Sequence, residues 1–389
     1  MENTPGDGGS AGVSLATVAR EWTRIGVTGF GGPPAHIALL RTLVVDRMHW
    51  MDARAFQDAN AACGLLPGPA STQLAIFCAY RVAGPAGAVV GGFGFILPAV
   101  ILILALSVLF LGHSPPLWIR GAGAGAGAAV AAVAVQAARG LMGPSIQHVV
   151  GNRAAIARWI CYLAIGAAAA ALLGAYLVLA LLACGLAELL IQRRAVVSGL
   201  SVGFAPGMVT AGGIGALAWT AFKVGALSFG GGFVIIPLMQ GDAVHAYHWM
   251  TNQQFLNAVA LGQVTPGPVV ATVAAVGYAA HGLGGGLLAA LIAFSPSFSF
   301  ILLGGGRFEQ LRENTNARAF LDGAGPAAIG AILGAAIILA GALREAWQFA
   351  ILAAAAVALL LLKRGIVETL LGAGAIGVIA ALAGAPLPR

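Results

Sequence analysis

Residues 26–36 read GVTGFGGPPAH, and residues 225–235, which lie 199 positions later, read GALSFGGGFVI. A second motif, Pro-Gly-Pro, recurs at the same offset, at 67–69 and again at 266–268. Because chance matches in this chain would fall mostly on the abundant Ala and Gly, shared Phe and Pro indicate an internal duplication. Both motifs interrupt apolar stretches, so they also decide where helices must break.

The same offset holds beyond these motifs. His-Trp-Met at 49–51 recurs at 248–250. The offset of 199 also aligns Gly87 and Phe95 with Gly286 and Phe294, which extends a gapless register over about 70 residues. We therefore predict two homologous repeats, residues 15–194 and 195–389, after a disordered polar tail at 1–14.

The composition places these repeats in a membrane. Of the 389 residues, 59% are hydrophobic and 8% are charged, and the mean hydropathy is +0.92. A soluble protein carries about 25% charged residues, so a soluble enzyme is excluded, and so is intrinsic disorder of the whole chain. With roughly 20 apolar residues for each span, we predict an all-α polytopic membrane protein with about ten to twelve membrane helices.

The charges indicate how the repeats are oriented. The net charge of +7 is typical of cytoplasmic loops in a membrane protein, and we expect no nucleic-acid partner. Residues 41–54 contain three arginines, whereas residues 240–253 contain no Lys or Arg. Equivalent loops would then lie on opposite sides of the bilayer, which predicts two inverted repeats with broken or re-entrant helices, as in many secondary transporters.

The helix breaks are the strongest candidates for a binding site. A restarted helix exposes free backbone N–H groups and a positive dipole end, which attract anions. Irregular backbone survives inside a membrane only where it is buried or lines a cavity. The alternative is that these are simple kinks or packing glycines. The candidate residues at the breaks are Phe30, Gly31, Gly32, Pro67, Gly68, Pro69, Phe229, Gly230, Gly231, Pro266, Gly267 and Pro268.

Polar side chains next to the breaks could complete the hydrogen bonds of a bound oxyanion. They are Ser71, Thr72, Gln73, Thr265 and Thr272, and their alternative role is helix capping. His36 follows the first break and has no counterpart in the second repeat. It could carry a proton or serve as a structural histidine.

Two cations occupy equivalent positions ahead of the Phe-Gly-Gly motifs. Arg24 and Lys223 each lie six residues before the Phe. A cation at the centre of a membrane helix costs about 2.5–3.5 kcal/mol on insertion scales, which suggests a use such as holding an oxyanion. The alternative is two snorkelling side chains. We hypothesise that replacing either residue by Ala abolishes anion transport.

Other motifs favour structural roles. The run of alternating Gly and Ala at 121–127 lacks the features of a nucleotide loop, and its spacing is typical of close helix packing. The four cysteines lie in apolar contexts without metal-ligand spacing, and Glu188 is expected to be structural. No order of catalytic residues supports an enzyme, and we expect no cofactor and no metal.

Taken together, the motifs resemble the chromate ion transporter family in its long form with two homologous domains. The resemblance rests on Gly26, Phe30-Gly31-Gly32-Pro33 and His36, on Trp50, Pro67-Gly68-Pro69 and Ser71-Thr72-Gln73, and on Pro98, Lys223, Gly225, Phe229-Gly230-Gly231 and Pro266-Gly267-Pro268. The sequence departs from the family pattern at Arg24, where Lys is usual. The second repeat also has Gly232 and Phe233 where the first repeat has Pro33 and Pro34.

This resemblance implies export of chromate across the inner membrane of a bacterium, giving chromate resistance. Sulfate, which has a similar shape and charge, is the implied competitor or counter-substrate. The membrane potential or a proton gradient is the implied driving force. Alternatives are translocation of sulfate or a lipid phosphate and, from other classes, a non-transporting scaffold or a membrane enzyme. The oligomeric state stays open, with a homodimer among the options.

Overall fold

The fold is known from a computed structural model. It describes residues 13–112, 115–147, 149–173, 177–193, 212–228, 234–304 and 314–388. The second Phe-Gly-Gly motif (229–231), most of the predicted tail and the predicted repeat boundary at 194–195 lie outside these ranges.

The first repeat forms seven described helices. They are α1 (Leu15–Thr28), α2 (Pro33–Arg41, continued by a π-helical turn Thr42–Arg47), α3 (Ala53–Leu65), α4 (Ala70–Phe110), α5 (Leu117–Gln147), α6 (Arg153–Leu173) and α7 (Leu177–Arg193).

The second repeat follows the same order of elements. They are α8 (Ile214–Ala226), α9 (Ile235–Gln240, continued by a π-helical turn Gly241–Ala246), α10 (Asn252–Val264), α11 (a 3₁₀ turn Val269–Thr272 continued by Val273–Gly304), α12 (Thr315–Gly341), α13 (Ala346–Ala356, continued by a π-helical turn Val357–Leu361) and α14 (Ile366–Leu382).

Equivalent elements of the two repeats begin 199 residues apart. The starts of α1 and α8, of the first two π-helical turns, and of α3 and α10 all obey this offset. The shared His-Trp-Met closes those turns. His49 and His248 both adopt φ of 52°, and the amides of Trp50 and Trp249 donate to carbonyls inside the turns at 2.8 Å. The duplication seen in the sequence is therefore a duplication of backbone structure.

The gapless register is wrong in the long helices. Both α4 and α11 bend at a glycine in the left-handed region, Gly84 with φ of 66° and Gly282 with φ of 63°. These bends are 198 residues apart, so Gly87 is the counterpart of Gly285 and not of Gly286. The first turn of α11 is 3₁₀ where α4 is α-helical. The second repeat is one residue shorter than the first between Pro-Gly-Pro and the bend.

Five helices are long and apolar enough to span a membrane. They are Ala70–Phe110, Leu117–Gln147, Arg153–Leu173, Val269–Gly304 and Thr315–Gly341. The described residues add four shorter apolar helices. Since α4 and α11 are each bent into two segments, these nine helices provide eleven apolar segments. The protein is an all-α polytopic membrane protein, as predicted.

The two repeats interlock through small residues. The Gly/Ala run of α5 packs on α14 of the second repeat. A β-carbon added to Gly121 would lie 2.6 Å from the Gly377 carbonyl oxygen. The interface of α6 with α12 is equally close, because Gly166 faces the Ala327 carbonyl and Gly330 faces the Leu163 carbonyl. The interpretation of the Gly/Ala run as a packing surface is confirmed.

A buried carboxylate reinforces this interface. Glu188 of α7 is 4% exposed, and it accepts hydrogen bonds from Arg158 at 2.8 Å and Tyr162 at 3.0 Å, both on α6. The side-chain amide of Gln192 donates hydrogen bonds both to Glu188 and to Asp322 of α12. Glu188 thus joins α7 to α6 directly and to α12 through Gln192, in line with a structural role.

The glycine contacts lead to a first prediction. Gly330→Ala is expected to lower the stability of the purified protein by about 1–3 kcal/mol, because the new methyl group would collide with the Leu163 backbone. Gly325 is the matched control, since it lies on the same helix and a β-carbon there meets no described atom within 4 Å. Thermal melting in detergent should show a lower midpoint for Gly330→Ala only, and equal midpoints would contradict the packing model.

Candidate functional site

The first break lies between α1 and α2. Gly31 and Gly32 have φ of 102° and 73°, in the region that favours glycine. Pro33 then starts α2, where its fixed φ suits the first helical turn. The Phe30 ring is exposed. The helix break predicted at this motif is present, whereas its counterpart at Phe229, Gly230 and Gly231 lies outside the described residues.

Both Pro-Gly-Pro motifs form sharp loops before a long helix. Gly68 and Gly267 have φ of 115° and 97°. In the first loop the side-chain amide of Gln73 donates to the Pro67 carbonyl at 2.7 Å. In the second, the Thr272 hydroxyl donates to the Val269 carbonyl at 2.7 Å. The breaks predicted here are present in both repeats.

The loops of one repeat meet the first helix of the other. The amide of Gly267 donates to the carbonyl of Gly29 at 3.0 Å. A β-carbon added to Gly68 would lie 3.2 Å from the Gly225 carbonyl oxygen. The structure thus brings the first Phe-Gly-Gly segment and both Pro-Gly-Pro loops together at one crossing point, which we call the crossing centre.

His36 connects the parts of the crossing centre contributed by the first repeat. It is fully buried, with Nε2 3.0 Å from the Gly29 carbonyl and Nδ1 3.3 Å from the Ser71 hydroxyl. Because a carbonyl only accepts, Nε2 carries the proton, and the neutral ring accepts from Ser71. The centres of the His36 and Phe95 rings are 5.0 Å apart, and the two rings are nearly perpendicular. His36 therefore holds the first break against the start of α4.

Several polar atoms around the crossing centre lack partners among the described residues. They are the Thr72 hydroxyl and the Oε1 acceptor of Gln73 on α4 and the Ser297 hydroxyl of the second repeat, and the buried Ser228 hydroxyl, three residues after Gly225, is also without a described partner. Ser297 lies beside Gly68, at 3.6 Å from an added β-carbon. Unsatisfied buried groups cost about 1–3 kcal/mol each, so a polar ligand here would be stabilised by them.

Ser228 and Ser297 were missed by the sequence reasoning. Ser228 directly precedes the second Phe-Gly-Gly motif, and that position was a usable signal. Ser297 follows Pro296 and comes to the crossing centre only through the packing of α11. Thr265, which was predicted, is buried at the end of α10 together with Pro266 and Pro268.

The two equivalent cations have different surroundings. Lys223 is 8% exposed, and its ammonium lies 2.7 Å from Oδ2 of Asp242. Arg24 lies on an exposed face of α1, with no ion pair to any described residue. The predicted symmetry holds for the backbone positions, while only the second-repeat cation is buried and paired.

In the first repeat, an ion pair at a different position joins α1 to the π-helical turn Thr42–Arg47. Glu21 of α1 binds Arg47 of the turn, and it also lies 3.3 Å from Arg20. The arginine Arg47 is 42% exposed, whereas the Lys223 side chain is 10% exposed. In both repeats an ion pair therefore joins the first helix to the π-helical turn, but only in the second repeat are both partners of the pair buried.

A family model described as "Chromate transporter" matches residues 16–189 and 215–380, one region in each repeat. The chain belongs to the chromate transporter family. The resemblance inferred from the Phe-Gly-Gly and Pro-Gly-Pro motifs is thereby confirmed. The breaks that form the crossing centre lie inside the two matched regions of this chain.

Curated relatives are similar over most of their length. A "Chromate transport protein" of Cupriavidus metallidurans is 33% identical over 383 residues, covering 94% of this chain and 93% of the relative. One of Pseudomonas aeruginosa is 32% identical, covering 84% and 82%. A "Probable chromate transport protein" of Synechococcus elongatus is 28% identical, covering 84% of each. No solved structure matches this chain.

Proposed function

We propose that this protein is a secondary transporter that exports chromate and similar divalent oxyanions across the cytoplasmic membrane. The observation that carries the proposal is the crossing centre. Backbone breaks from both repeats meet there beside buried hydroxyl groups that have no partner among the described residues. Relatives that match 94% and 84% of this chain are named chromate transport proteins. Export of this oxidising anion would give a bacterium resistance to chromate.

Each group of candidate residues has a role in this proposal. Backbone N–H groups of the residues that follow Gly31 and the two prolines Pro69 and Pro268 donate to the oxyanion, and we extend this role to those after Gly230, which lies outside the described residues; Lys223 and Arg24 supply positive charge. Hydroxyls of Thr72 and Thr265 and the second N–H of the Gln73 amide complete the shell, and the Ser71 hydroxyl joins them when it turns from His36 to the anion. Thr272 and His36 shape the site, because their side chains are engaged with the backbone.

The burial of the centre implies movement. Thr72, Gln73 and His36 are each 0% exposed, so an anion could reach them only if the two repeats move relative to each other. With inverted repeats, rocking of one against the other would alternately open the centre to each side. An inside-negative potential favours exit of a dianion by about 4.6 kcal/mol per 100 mV, which is enough to drive export without ATP.

Flux into proteoliposomes tests the function. Purified protein is expected to move chromate into vesicles carrying an inside-positive potential set by a potassium gradient, with sulfate competing and phosphate competing less. Vesicles without protein are the control. Competition by molybdate and by a short-chain lipid phosphate compares the alternative substrates. No flux of any of these anions would overturn the proposal.

A further inference from the structure

The ion pair of Lys223 and Asp242 has a consequence for how an anion could bind. Asp242 is 2% exposed, and its Oδ2 receives both the Lys223 ammonium and the hydroxyl of Thr220, each at 2.7 Å. Lys223 also lies over the Trp219 ring, 5.8 Å from its centre. The cation that the family motif places before the second break is thus already neutralised inside the protein.

A dianion approaching this pair meets a carboxylate as well as an ammonium. The net charge of the intact pair is zero, and the carboxylate repels the anion at short range. Attraction becomes strong only when Lys223 leaves Asp242. Breaking a buried pair is costly because each charge loses its partner in a poorly solvated place, so a substrate must replace the lost contact.

Asp242 and Lys223 lie on different helical segments. Lys223 is on α8, whereas Asp242 lies in the π-helical turn Gly241–Ala246 that follows the second break. Such turns within helices are common at functional sites. Releasing the pair would leave Thr220 as the remaining side-chain contact of Asp242 with α8, so anion binding would loosen the attachment of this turn.

We propose that Asp242 is a built-in competitor of the transported anion, whose carboxylate holds Lys223 when the site is empty and is displaced from it when the anion binds. The inference rests on the proposed function, in which Lys223 binds the oxyanion. The competition would speed substrate release, because a carrier that bound its substrate through an unpaired buried cation would release it slowly. Asp242 keeps the affinity moderate and the turnover fast.

The chain offers two informative variants and a control. Asp242→Asn removes the competing charge but keeps an amide oxygen for Thr220, so binding should tighten. Thr220→Val removes the hydroxyl that would stabilise Asp242 after its release, so displacement becomes harder and binding should weaken. Glu21→Gln is the control, because it neutralises a carboxylate that joins α1 to the equivalent turn but does not hold Arg24.

The experiment measures sulfate and chromate binding by calorimetry in lipid nanodiscs, with flux measured in proteoliposomes. We expect Asp242→Asn to lower the dissociation constant about tenfold and to reduce maximal flux, Thr220→Val to raise the dissociation constant about threefold, and Glu21→Gln to change neither by more than twofold. Thermal melting reports folding of each variant.

The outcomes separate the two proposals. Suppose that the wild type transports the anion and that folded Asp242→Asn binds it no more tightly than the wild type does. That result would overturn the competitor role of Asp242 and leave the transport function intact. So would an equal tightening by Glu21→Gln. If Asp242→Asn does not fold, Thr220→Val decides, and unchanged binding by it overturns the inference. Absence of both binding and flux in the wild type would overturn the function and the inference together.

Discussion

The double variant Lys223→Met with Asp242→Asn is expected to fold as the wild type does and to lose oxyanion flux at least a hundredfold. The two side chains form a buried ion pair at 2.7 Å. Neutralising both partners leaves no uncompensated charge, and such replacements are often neutral or stabilising. The same change removes the buried cation assigned to the oxyanion, and a hundredfold loss corresponds to about 2.7 kcal/mol.

The single variant Lys223→Met serves as the comparison. It leaves the Asp242 carboxylate buried without its cation, and breaking a buried pair in this way costs about 3–5 kcal/mol. A loss of flux in that variant alone could therefore reflect unfolding. Flux should be normalised to folded protein by size-exclusion chromatography and melting. A double variant that folds and still transports chromate at more than a tenth of the wild-type rate would remove Lys223 from the site.

The repeat, the fold class and the helix breaks could be predicted because they depend on local sequence. Pro and Gly restrict or release backbone angles wherever they occur, so Gly31 and Gly68 mark their breaks without any knowledge of packing. The equivalence of His49 with His248 likewise follows from identical neighbours. The one-residue shift after Gly267 was present in the sequence, because Pro98 and Pro296 are 198 and not 199 positions apart, but the chance matches of Gly87 with Gly286 and of Phe95 with Phe294 concealed it.

The partners of the charged residues could not be predicted, because they depend on contacts between elements. Lys223 and Asp242 are 19 residues apart in the sequence and belong to different helical segments. Arg24 shares the backbone position of Lys223, yet a Leu, Leu43, occupies the position equivalent to Asp242. Without that carboxylate Arg24 has nothing to draw it inward. That both cations are needed for transport stays a prediction.

Gly68→Ala is expected to reduce flux at least tenfold, whereas Gly84→Ala is expected to leave flux within about twofold of the wild type. Both glycines have positive φ, 115° and 66°, so both substitutions store backbone strain of about 1–3 kcal/mol. They differ in crowding. A β-carbon at Gly68 would lie 2.7 Å from the Gln73 amide nitrogen and 3.2 Å from the Gly225 carbonyl oxygen, whereas one at Gly84 meets no described atom within 4 Å.

The physical reason lies at the crossing centre. An added methyl group at Gly68 would push away the Gln73 amide, which donates to Pro67 at 2.7 Å, and would wedge the loop away from the first helix of the second repeat. Proteoliposome flux and melting temperature should be measured for both variants together. Equal losses would mean that strain, and not the close approach of the two repeats, limits transport. A fall in flux at Gly68 alone, with similar melting temperatures, would locate the transport path where the two repeats cross.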